Sequence, residues 1–179
     1  MKKLFLSVVL VSVLGVMVFG LALAADVQVT DPAALKDLAT VRQATAKYQN
    51  VDAAIAAGYV STPACVAVPG VGGMGYHYIN FGLVVDGTIS LTAPEVLLYA
   101  PSGDGLRLVG VEYFLALGAP GDPIPPNPPA APVLFGRAFD GPMLGHDPDM
   151  PPHYDLHVWI WQPNPMGMFT PFNPSVNCP

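Results

Sequence analysis

"PEVLLYAPSGDGLRLVGVEYFLAL", Pro94 to Leu117, decides the architecture. Two apolar runs flank a Pro, Ser and Gly loop, which reads as a β-hairpin. The second run, Leu106 to Leu117, is apolar on both faces, as a central strand of a covered sheet is. Glu112 is its one carboxylate, expected with Leu108 and Phe114 on its own face. A carboxylate buried there must be paired, protonated or bound to a cation. Arg107, Arg137 or a histidine could supply a purely structural partner.

Strand signals continue on both sides of the hairpin. "MGYHYINFGLVV", Met74 to Val85, is aromatic and β-branched, with a turn at Asp86-Gly87 before "TISL". The glycine-rich "VPGVGGMG" ahead of it reads as a tight turn feeding the His77 strand. "HYDLHVWIW", His153 to Trp161, supplies a further strand. Upstream of the strands, "TDPAALKDLATVRQATAKYQNVDAAIAAGYV" reads as one long helix. Asp31 is its N-cap, Pro32 occupies the first helical position and Gly58 is the stop. Leu35, Leu38, Val41, Tyr48, Val51 and Ile55 recur on a 3.6-residue period, so this helix should cover a core with one face. The expected fold class is therefore α+β: an N-terminal amphipathic helix packed on a mostly antiparallel β-sheet, with a long proline-rich loop.

That loop is residues 118–152. It holds 11 of the chain's 21 prolines, a density that favours polyproline II and irregular structure over a second domain. "PVLFGRAF" within it should dip back into the core.

The start of the chain bears on compartment. Lys2 and Lys3 precede an uncharged apolar run from Leu4 to Ala25, and Ala22-Leu23-Ala24 fits the small-x-small rule for signal peptidase. The expectation is a signal peptide at 1–24 and a single secreted or periplasmic domain at 25–179, without stable membrane insertion after cleavage. Left uncut, the run is long enough to anchor in a bilayer. Of the 179 residues, 155 then remain, with 5 basic against 13 acidic side chains and a formal charge of −8. Such a surface repels nucleic acid and anionic lipid, so the expected partner is a metal ion or small molecule. Both cysteines, Cys65 and Cys178, lie in the exported part, where an even number suggests a disulfide worth about 2–4 kcal/mol.

Signatures of hydrolase elbows, dinucleotide sites, phosphate loops, zinc proteases and EF-hands are all missing. Chemistry then falls to the histidines. In a strand, His153, Asp155 and His157 share one face with Trp159 and Trp161. Histidines four apart along a straight strand stand roughly 13 Å apart, too far to hold one ion without a bend. His77, Glu112, His153 and His157 form the candidate site, with Asp155 and His146 in reserve. Imidazoles with a carboxylate suit zinc or copper, and an open coordination position would allow hydrolysis. Alternatively, Tyr76, Tyr78, Tyr113, Trp159, Trp161 and Phe169 line a pocket for a small apolar or aromatic ligand.

Overall fold

The computed structural model describes residues 29–179, so the expected signal segment lies outside the described residues. The hairpin is β3 (Val96–Ser102) and β4 (Gly105–Ala116), antiparallel and closed by Gly103-Asp104. Around it run β1 (Val60–Val68), β2 (Gly72–Ile79), β7 (Asp140–Met143) and β8 (His153–Val158). The six-stranded sheet has the order β1-β2-β3-β4-β8-β7, every pair antiparallel. β4 is thus central, and residues 108–114 are all buried.

Two cores explain why β4 is apolar on both faces. On one face, Leu97, Tyr99, Val111, Tyr113, Leu156 and Val158 meet Ala34, Leu38, Val41 and Tyr48 of the helical segment. On the other, Val96, Leu98, Val109, Phe114 and Trp159 are closed over by Val176 of the C-terminal tail. The fold is α+β, with the N-terminal helix packed against a largely antiparallel sheet.

The helical segment is less continuous than its periodicity suggests. It is α1 (Pro32–Thr45), a 3-10 turn (Ala46–Gln49) and α2 (Val51–Ala56). Asp31 caps α1 through hydrogen bonds from the Ala33 and Ala34 amides, as expected. The break falls at Asn50, whose extended backbone leaves the helix and whose side chain accepts from the Asp52 amide. A 3-10 turn advances by three residues rather than 3.6, so it shifts the phase of the buried stripe. Ile55, expected inside, is accordingly exposed, while in α1 the buried stripe is Ala34, Leu38, Val41 and Thr45, which leaves Leu35 exposed as well. Tyr48 is carried inward, and its carbonyl accepts from the Tyr99 hydroxyl at 2.6 Å.

Three strand expectations also need correction. "FGLVVD" is a helix, α3 (Phe81–Asp86), because Asn80 caps it by accepting from the Leu83 amide and Gly87 ends it at φ +66°. "TISL" is irregular rather than strand. β8 stops at Val158: the Trp161 amide bonds to Val109, and the Trp161 ring crosses to the helix side, under Arg42 and beside Thr45. Trp159 and Trp161 therefore do not share a face. A strand absent from the sequence reading, β1, carries Pro63 where its pairing with β2 is interrupted.

One bulge matters for the site. The β3–β4 register passes from Leu98↔Gly110 to Tyr99↔Leu108, which leaves Val109 extra. Leu108 consequently joins the helix-side core and Val109 the opposite one. The expected grouping of Leu108 with Glu112 fails for that reason, whereas Phe114 does share the face of Glu112.

The 118–152 segment returns to the body twice. β5 (Val133–Leu134) and β6 (Arg137–Ala138) form a small hairpin flanked by the buried Phe135 and Phe139, and β7 pairs with β8. Phe135 holds φ +57°, a strained value for a bulky residue, and is kept there by rings of Tyr113 and Phe169 at 5.9 and 5.7 Å. Cys65 and Cys178 are bonded with Cα atoms 5.6 Å apart, which ties the tail to β1. No helix among the described residues is long and apolar enough to cross a membrane.

Candidate metal centre

On the face opposite the helices, three strands each contribute one polar side chain. His77 comes from β2, Glu112 from β4 and His157 from β8. Glu112 and His157 are direct cross-strand partners. His77 stands opposite Leu98 of β3 and reaches Glu112 on the diagonal. Space for this comes from Gly110, opposite Leu98: the leucine leans its δ-carbon over the missing side chain. Gly75, two residues before His77, holds φ +92°, and a Cβ there would collide with the Tyr99 carbonyl.

The three groups converge. One ligand atom from each of His77, Glu112 and His157 lies within 4.8 Å of the others. His77 Nε2 is 3.5 Å and His157 Nε2 3.8 Å from the same oxygen, Glu112 Oε2. These separations exceed a good hydrogen bond. They match two ligands of a single ion, since metal–ligand bonds of about 2.0–2.1 Å at a tetrahedral angle leave donors roughly 3.3 Å apart. His157 and Glu112 are buried at 2% and 3% exposure. Among the described residues, neither Glu112 Oε2 nor either ring nitrogen of His157 has a hydrogen-bond partner. The arginines that might have paired with Glu112 are engaged elsewhere: Arg137 pairs with Asp140, and Arg107 lies at the far end of β4 opposite Ala100.

Burial controls the protonation states. Loss of solvent pushes His77 down to about 3, helped by the neighbouring His157 and opposed by Asp155 and the Gly75 backbone. His157 is likewise lowered by burial, against the pull of Asp155. Burial, then Asp155 and Glu95, holds Glu112 well above the ordinary carboxylate range. Neutral imidazoles are what a metal requires, and a cation would reverse the penalty on the carboxylate.

His153 is not part of this trio. Its Nε2 lies 3.7 Å from Asp155 Oδ2, its ring stacks on Phe114 at 4.5 Å, and its Nδ1 donates to the Pro151 carbonyl at 2.9 Å. Asp155 in turn lies 3.9 Å from His157 Nδ1. His146 approaches the His153 ring edge-on at 5.4 Å from an exposed loop. It borders a surface depression of about 380 Å³ with Asp122, Asp147 and Met150.

Glu95 escaped the sequence reading, although a carboxylate heading an apolar strand was the available signal. It is 1% exposed and accepts from the Phe114 amide at 3.0 Å. Val96↔Glu112 is the last β3–β4 pair, so the Glu95 carboxylate satisfies a donor that the ladder leaves free. Burial raises Glu95 to about 7, against the Phe114 hydrogen bond. Between the ordinary carboxylate value and that point the folded state keeps a proton that the unfolded chain has lost. Its stabilisation is complete below about pH 4.3 and disappears as pH rises through about 7. Urea denaturation of chelated protein from pH 4 to 8 is therefore expected to show stability falling by on the order of 3–4 kcal/mol from this group. Glu95→Gln should flatten that part of the profile; an unchanged profile would remove Glu95 as its source.

No family model, curated protein or solved structure matches the chain, so its chemistry has to be read from these side chains alone.

Proposed function

We propose that this is an exported protein that binds a divalent metal ion, zinc or copper, through His77 Nε2, Glu112 and His157 Nε2. The observation that carries it is a buried carboxylate with no Lys or Arg partner among the described residues, facing two imidazole nitrogens at ion-spanning distances. Two nitrogens and one oxygen suit zinc or Cu(II), and the absence of sulfur from the trio argues against Cu(I). Export is supported by the basic then apolar start of the chain and by a disulfide, which persists in oxidising compartments.

The burial of Glu112 and His157, with His77 only 13% exposed at its side chain, favours an ion held in place over one presented to a bulky substrate. A depression of about 610 Å³ lies between the β1–β2 turn and the tail, remote from the trio in its lining residues. The alternative of an apolar-ligand pocket finds its aromatics packed on one another: Tyr78 against Tyr99 at 4.6 Å, Tyr113 against Phe135, and Trp159 at 1% exposure.

Metal analysis of disulfide-bonded protein, exposed to zinc or copper and then desalted, tests the reading. Wild type should retain metal that His77→Ala loses, with Asn80→Ala, outside the trio, as a handling control. Equal metal in wild type and His77→Ala would sink the claim.

A further inference from the structure

The trio employs one nitrogen of His157 and leaves the other to be explained. Nε2 faces Glu112, while Nδ1 lies 3.9 Å from Asp155 Oδ2. The ring is 2% exposed, and among the described residues Nδ1 has no hydrogen-bond partner. A neutral imidazole has one N–H and one lone pair. With Nε2 as the ligand nitrogen, the ring proton sits on Nδ1, and the carboxylate beside it is Asp155.

Asp155 is enclosed by the sheet. It is 6% exposed and pairs across strands with Phe114 of β4 and Asp140 of β7. Arg137 pairs with Asp140, and among the described residues no Lys or Arg pairs with Asp155. Its neighbours are two imidazoles: Oδ2 lies 3.7 Å from His153 Nε2 and 3.9 Å from His157 Nδ1. Both separations exceed a good hydrogen bond, so each contact takes its sign from whether a proton or a lone pair faces the carboxylate. On the His153 side the backbone decides. His153 Nδ1 meets the Pro151 carbonyl, which only accepts, so that nitrogen carries the proton. His153 Nε2 and Asp155 then attract through one proton held between them, on either atom. Oδ2 still has a lone pair for the Nδ1–H of His157.

We infer that Asp155 is the positioning residue of the metal centre: it accepts a hydrogen bond from His157 Nδ1 and so keeps the Nε2 lone pair free for the ion. This rests on the metal-binding reading above and deepens it. A carboxylate behind a ligating histidine fixes the tautomer and orientation of the ring, an effect worth about 10–100-fold in metal affinity. His153, four residues from His157 on β8 and outside the trio, holds that carboxylate from its other side. Asp155→Asn keeps the shape and reverses the polarity. The lone pair of His153 Nε2 draws the amide nitrogen to the shared position, where its N–H opposes the N–H of His157.

The test is zinc binding by purified, disulfide-bonded protein, measured by competition with a chromophoric chelator, together with NMR of the histidine ring protons at saturating zinc. In wild type the His157 Nδ1–H resonance should lie downfield and exchange slowly with solvent. Asp155→Asn should bind zinc about 10–100-fold more weakly. At saturation its His157 Nδ1–H should move upfield and exchange faster, with the His77 ring resonances unchanged. Asp155→Leu, which has the same branching, should do the same and supplies the measurement where the amide unsettles the fold. Equal zinc affinity in wild type and both variants overturns the positioning role and leaves the metal-binding reading intact. Weaker binding with an unmoved His157 Nδ1–H resonance also overturns it, since Asp155 would then act through its charge alone. No zinc bound by wild type overturns both.

Discussion

Zinc at a thousand times its dissociation constant is expected to raise the melting temperature of the wild-type protein by about 8–16 °C over the chelated form. An ion that binds only the folded state at that excess stabilises it by about 4 kcal/mol, and each kcal/mol moves a domain of this size by about 2–4 °C. Glu112→Leu should separate the metal from the fold. In the chelated protein, Glu112 is a buried group whose Oε2 has no hydrogen-bond partner among the described residues. Replacing such a group with an apolar one is neutral or stabilising, by up to a few kcal/mol. The variant should thus melt at or above chelated wild type, yet show no response to zinc. Calorimetric scans of both proteins with and without chelator give four values whose order is the result. A wild type indifferent to zinc, with Glu112→Leu strongly destabilised in chelator, would make the carboxylate a structural group and nothing more.

Replacing both cysteines, Cys65→Ser with Cys178→Ser, should cost about 3–5 kcal/mol, measured by urea denaturation in chelator. The bond spans 113 residues, so its absence releases a long loop in the unfolded chain, and the entropy of closing such loops sets the magnitude. The tail it holds has little else to pin it to β1 and β2: an isolated bridge between Gly73 and Asn173, and Val176 set into the second core. Reduced wild type should match the double variant. Coincident midpoints for oxidised wild type and the double variant would show that the tail is held by packing alone.

Much of the fold was legible because it obeys local rules. The β3–β4 hairpin is two apolar runs around Gly103-Asp104, and the Asp31-Pro32 cap needs only its own neighbours. Where the reading failed, a side chain's tertiary partner outweighed periodicity. Asn50 and Asn80 each cap a new helix where the pattern was continuous, and the Val109 bulge reverses the parity of Leu108. Trp161 leaves the strand parity because Thr45 and Arg42 receive it on the helix side.

For the site, residue types and strand parity were readable from the chain alone. They place Glu112 in an apolar strand, put His153, Asp155 and His157 on one face, and show that His153 and His157 are too far apart for a single straight-strand site. Which histidine meets Glu112 depends on register, and register belongs to pairs of strands. Glu112↔His157 and the diagonal from His77 follow from how β2, β3, β4 and β8 align, over stretches of chain as long as the loop between Ala116 and His153. A slip of one residue in any of these pairings would turn the imidazoles to the other face. Donor chemistry and strand faces are thus written in the chain, whereas convergence of the donors comes with the assembled sheet, because burial and distance are properties of paired strands.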